Sequence, residues 1–106
     1  MQKVNILSLI FLLSAITVTM TYADSDGELV YSTNGCATCH GPKGEKSPVP
    51  VSPKLAGQDK ASLLQAMTDM KNGTRTQGMA SVMQPGLRKM SAADLEAVSE
   101  WLSQLQ

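Results

Sequence analysis

NGCATCHGPKG, residues 34–44, contains both cysteines of the chain, Cys36 and Cys39, and its only histidine, His40. All three soft, metal-capable side chains of a 106-residue protein therefore fall within five positions, in the spacing C-x-x-C-H. The rest of the sequence has to be consistent with whatever that cluster holds.

Upstream, residues 1–5 carry one positive charge, Lys3, and residues 6–16 (ILSLIFLLSAI) form an apolar run interrupted by Ser8 and Ser14. A small-polar stretch follows and ends in Thr21, Tyr22 and Ala23. This is the pattern of a secretory signal peptide over residues 1–23, cleaved after Ala23, and it predicts a periplasmic destination. The apolar run is short for a membrane span; the alternative is an uncleaved N-terminal anchor. Residues 24–106 would then be the single mature domain. The whole chain has nine Lys+Arg and nine Asp+Glu. Such a balance provides no field for nucleic acid. A domain of this size builds only a modest core and often needs a staple or cofactor.

The mature stretch reads as all-α, with three main helices and long loops. Ser25 and Glu28 have capping-box spacing, and Asn34-Gly35 offers a stop for a short first helix. Residues 41–58 hold Pro42, Pro48, Pro50 and Pro53 among three glycines, which excludes a helix or central strand. That segment reads as a loop draped over a rigid surface. Residues 59–72 are the clearest helix: Asp59 caps, Leu63, Met67 and Met70 share a face, and Gly73 ends it. Met67 and Met70 are expected in the core. Residues 74–89 read as irregular, with Gly78, Pro85 and Gly86 as breakers. The last helix has Ser91 and Asp94 as a capping box, Met90 and Leu95 as a staple, and the stripe Leu95, Val98, Trp101, Leu102, Leu105.

In an exported chain, C-x-x-C-H reads as covalent haem c attachment. Two thiols three positions apart lie on one side of a helical turn and can bond two vinyl groups on one porphyrin edge. The adjoining histidine is then placed to reach the iron. Three alternatives compete. A thioredoxin-like redox pair needs a strand–helix setting, for which no alternating segment exists. A Cys36–Cys39 disulfide would close a tiny loop and leave His40 unexplained. A structural zinc site usually takes four protein ligands, and two Cys with one His leave the set incomplete.

The chain resembles a small class I cytochrome c, of the mono-haem bacterial c-553 type or one half of a di-haem cytochrome c4. The carrying motifs are CATCHG, then PKLAGQ, then NGTRTQGMASVM, then MSAADLEAVSEWL. The resemblance implies a cytochrome c fold around one haem, with Cys36 and Cys39 as thioether anchors, His40 as proximal ligand and a methionine as distal ligand. In such proteins that methionine stands about eight residues before the last helix's N-cap, which points to Met83, with Met79 the runner-up. The resemblance also implies that the Pro53 carbonyl orients His40, that Leu55 packs on the haem, and that Arg75 neutralises a propionate; an ordinary turn and a solvated Arg are the plainer alternatives. It pairs Gly27 and Tyr31 with Trp101 and Leu102, although the gap from Gly27 to Cys36 is one residue longer than is common.

The implied function is a single-electron carrier rather than an enzyme, a monomer serving transient redox partners. Lys43, Lys46, Lys54 and Lys60 hint at an acidic docking surface on such a partner, against the plainer reading of solubilising lysines. The rival functions are an electron-accepting subunit of a larger dehydrogenase or oxidase, and a haem sensor or peroxidase with an open sixth site.

Overall fold

The structure is a computed structural model that describes residues 26–50 and 53–106, together with Thr17. The expected signal peptide and its cleavage site lie outside the described residues. Five helices follow in order: α1 (Gly27–Thr33), α2 (Cys36–His40), α3 (Lys60–Asn72), α4 (Ala80–Arg88) and α5 (Ala92–Ser103). The all-α class holds, with no strand among the described residues. Two more helical segments appear than the three main helices expected.

The first helix is capped by Asp26, not Ser25. The Asp26 carboxylate accepts from the Glu28 and Leu29 amides at 3.0 and 3.2 Å. Asp59 caps α3 by accepting from the Ser62 amide at 3.0 Å, and Gly73 ends that helix. Ser91 and Asp94 form the expected reciprocal capping box on α5, with both bonds at 3.1 Å. These caps satisfy amides that have no partner within the helix.

The largest departure from expectation is α4, which occupies part of the stretch read as irregular. Pro85 lies inside this helix. It stands at the sixth helical position, so the one hydrogen bond it removes is that to the Ser81 carbonyl. Ser81 and Pro85 are both exposed, and water can serve that carbonyl. Ala80 and Leu87 are buried and hold the segment against the core, so packing outweighs the local breakers.

Helices α1 and α5 pack together, and α3 packs against both α5 and α4. Tyr31, Leu63, Met67, Met70, Leu87, Met90, Leu95, Val98 and Leu102 form the shared core. Burying each such side chain is worth about 1.5–3 kcal/mol. Met67 and Met70 are core residues, as their helix face predicted. Ser99 is also fully buried, with its hydroxyl donating to the Leu95 carbonyl at 2.8 Å.

The described parts of the proline-rich loop are tied down at both ends. The Gly44 carbonyl accepts from the Leu55 and Ala56 amides at 2.9 and 3.0 Å, and the Gly57 amide donates to the Leu102 carbonyl at 2.9 Å. Gly44 is buried so tightly that a Cβ there would stand 2.7 Å from Leu102 Cδ2. The loop is therefore anchored on α5, and its course brings Pro48, Pro53 and Leu55 to one side of a cleft.

Candidate haem site

Helix α2 is the CATCH segment itself. Cys36 is half-buried on it, Cys39 exposed, and His40 buried at its end. Both cysteines are free thiols, so no disulfide competes for them. Burial pushes the Cys36 thiol up from its ordinary value and holds the His40 imidazole below its own. A histidine kept neutral has a lone pair to offer a metal.

A cleft of about 380 Å³ opens beside these three residues. Every residue that the resemblance placed around the haem borders it: Cys36, Cys39, His40, Pro53, Leu55, Arg75, Met79 and Met83. Met79 is the N-cap of α4, and Met83 lies one turn further on, half-buried against the core. Helices α2 and α4 both line the cleft yet make no close backbone approach to one another. The cleft lies between the segment with the thiols and the segment with the thioethers.

The donor set fits haem c. The lining is mostly apolar, and among the described residues no aspartate, glutamate or lysine borders it. Arg75 brings a permanent positive charge to its edge and is exposed there. Among the described residues no three His, Cys, Asp or Glu side chains converge as a metal-ion site. The two thiols and His40 on one short helix beside an apolar cleft are the donors that would hold a haem c. His40 Nδ1 is buried with no hydrogen-bond partner among the described residues. Pro53 borders the same cleft, but its carbonyl makes no hydrogen bond with that nitrogen.

Two features were missed in the sequence. Tyr31 is 1 % exposed, and its hydroxyl donates to the Gly41 carbonyl at 2.7 Å. Burial pushes its pKa up to about 12, so it stays a phenol. The available signal was the choice of Tyr over Phe, because a buried phenol seeks a partner. Lys60 was grouped with the docking lysines, but its ammonium reaches Glu100 at 2.9 Å and Glu96 at 3.4 Å. It ties the start of α3 to α5.

An all-helical domain with a C-x-x-C-H turn on an apolar cleft defines a covalent haem protein. Residues 25–106 match the family model for cytochrome c, and the chain belongs to that family. It is 34 % identical over 80 residues to a cytochrome c4 from Stutzerimonas stutzeri, covering 74 % of this chain and 38 % of the relative. It is 31 % identical over 80 residues to cytochromes c4 from Azotobacter vinelandii and Pseudomonas aeruginosa, covering 74 % of this chain and 38 % and 40 % of those relatives. The chain thus spans about two fifths of the length of the curated relatives it matches. It is a c4-like class I cytochrome c that holds one haem c covalently through Cys36 and Cys39.

Proposed function

We propose that the protein is an exported, mono-haem electron carrier with His40 and Met83 as axial iron ligands. The observation that carries this reading is the cleft between α2 and α4, bordered at once by Cys36, Cys39, His40 and Met83. Bound haem supplies a one-electron Fe(III)/Fe(II) couple. Cys36 and Cys39 tether it, His40 donates an imidazole nitrogen, and Met83 donates a thioether. A thioether favours the ferrous state and raises the potential. The apolar cleft pushes the same way, because it disfavours the extra charge of ferric iron. With His40 and Met83 holding the iron, no position would be left for a substrate, and the protein would act as a carrier and not an enzyme. The chain has one histidine, and among the described residues no carboxylate borders the cleft, which favours a carrier over peroxide chemistry.

Cys39 is exposed, and the tethered edge beside it is where electrons would enter and leave. Lys43, Lys46 and Lys54 are exposed on the adjoining loop and suit a transient partner with an acidic surface. The Pro53 carbonyl would accept from His40 Nδ1–H in the loaded protein, fixing the tautomer. Leu55 would pack on the haem, and Arg75 would neutralise a propionate. The signal pattern of residues 1–23 supports a periplasmic location, with no helix among the described residues long and apolar enough to cross a membrane.

Carbon monoxide tests the reading. Reduced protein with His40 and Met83 on the iron should bind none at neutral pH, whereas prompt binding would show an open sixth site. A second reading, a resident subunit of a larger redox enzyme, is favoured by the exposed apolar Met79 (39 %) and Val82 (65 %) beside the cleft. Co-purification of the native protein in one stable complex would establish it.

A further inference from the structure

The peptide that leaves His40 is held on every side. The Gly41 amide donates to the Ala37 carbonyl at 3.0 Å, and the His40 carbonyl accepts from the Lys46 amide at 3.0 Å. Both bonds come from the motif's own helix and loop. The Gly41 carbonyl accepts from the Gly44 amide of the loop at 3.3 Å and, more closely, from Tyr31, a residue of another helix. Gly41 has φ +82° and ψ 166°, a left-handed region open to glycine, and a Cβ there would stand 2.6 Å from the Glu45 carboxylate. The backbone after His40 is therefore set in a shape that few residues could adopt, and the Tyr31 hydroxyl ties it to the core.

Tyr31 is itself fixed. Its ring lies 5.1 Å from that of Trp101, tilted by 50°. Gly27, one turn earlier on α1, lets that helix close onto Ala97 and Trp101. A direct series of contacts thus runs from Trp101 on α5, through the Tyr31 ring and hydroxyl, to the carbonyl adjoining His40. Packing alone would be served as well by phenylalanine. The hydroxyl needs another explanation, and its position beside the histidine supplies one.

We infer that Tyr31 is a positioning residue for the iron: its hydroxyl, bonded to Gly41, holds the His40 backbone and so fixes the imidazole's seating on the metal. The inference rests on His40 being the iron ligand. Histidine orientation sets donor strength, and groups that hold a ligand tune the metal it binds. The hydroxyl gives the shorter of the two bonds to the Gly41 carbonyl, 2.7 Å against 3.3 Å from the Gly44 amide. In Tyr31→Phe the ring and its Trp101 contact remain, while the tie from α1 to Gly41 is lost and only the bonds within the motif's own helix and loop hold the backbone after His40.

The test uses oxidised and reduced holoprotein. The readouts are the midpoint potential and the paramagnetically shifted proton resonances of the His40 ring. Wild-type spectra come first: if no His40 resonance is shifted by the iron, the ligand assignment fails, and this inference fails with it. Given those resonances, Tyr31→Phe should keep its covalent haem and helical content. It should move the His40 resonances and change the ferric-to-ferrous equilibrium by about twofold or more. Trp101→Phe loosens the same helix pair without touching the hydroxyl bond, so it should lower Tm and leave both readouts in place. Unchanged readouts in Tyr31→Phe would overturn the inference. So would readouts that follow Tm equally in both variants, because Tyr31 would then be structural only.

Should Tyr31→Phe fail to accumulate as holoprotein, 3-fluorotyrosine can replace tyrosine in a Tyr22→Phe background, where Tyr31 is the one tyrosine left. Fluorination keeps the ring and makes its hydroxyl a stronger donor. The His40 resonances should then shift with the wild-type fold intact, and resonances that stay in place would overturn the inference.

Discussion

Gly27 of α1 lies so close to Trp101 of α5 that a Cβ at position 27 would stand 2.6 Å from the Trp101 Cβ. It would also press on the Ala97 carbonyl, which is backbone and cannot step aside. The contact implied by the family resemblance is therefore formed, despite the longer spacer to Cys36. Gly27→Ala should cost about 1–3 kcal/mol through overpacking. For a domain of this size each kcal/mol lowers Tm by about 4–8 °C. Thermal unfolding of the holoprotein checks this, and the low-temperature haem spectrum should be unchanged.

Ser91 and Asp94 satisfy each other's backbone amides at the start of α5. Ser91→Ala removes one acceptor and should destabilise by about 1 kcal/mol. Denaturant unfolding should show a lower midpoint at unchanged m-value. The effect should be on stability alone, since Ser91 does not border the cleft.

The Lys60 bridge gives a pH dependence. The Lys60 ammonium holds the Glu100 carboxyl below its usual range, first through the hydrogen bond and then through its charge. A carboxyl lowered in the folded state adds stability above its unfolded pKa, and that stability is lost as pH falls through the folded value. Wild type should therefore exceed Glu100→Gln in stability at pH 7 and lose the advantage in the acid carboxylate range. Both groups are exposed, so the difference should be small and shrink as salt is added.

Arg75 tests the electrostatics of the cleft edge. A cation there disfavours the more positive ferric iron, so Arg75→Gln should lower the midpoint potential. Because Arg75 is exposed, the shift should weaken with ionic strength. A potential that does not move would assign Arg75 to solvent.

Helices α3 and α5 were legible because each has a side-chain cap and an apolar stripe within a single stretch, and α3 also has a glycine stop at Gly73. Helix α4 was not. Pro85 and Gly86 dominate its local reading, and only burial of Ala80 and Leu87 against the rest of the fold reverses it. The thiols and His40 could be read because their chemistry is written in five consecutive positions. Met83 needed the family's spacing, since nothing local separates it from Met79. Tyr31 shows the limit most clearly. Its helix face predicts packing, but the acceptor of its hydroxyl is the carbonyl of Gly41, which enters through the tertiary fold. Lys60 was misgrouped for the same reason: its partners, Glu96 and Glu100, lie on a helix far along the chain.

The central claim is a haem tethered by Cys36 and Cys39 with His40 and Met83 on its iron. The absorption spectrum of the oxidised holoprotein tests it most directly, through the weak long-wavelength band of a methionine sulfur on ferric iron. The band should be present in wild type, persist in Met79→Ala and vanish in Met83→Ala. A band that survives Met83→Ala, or is absent from wild-type holoprotein, would contradict the account.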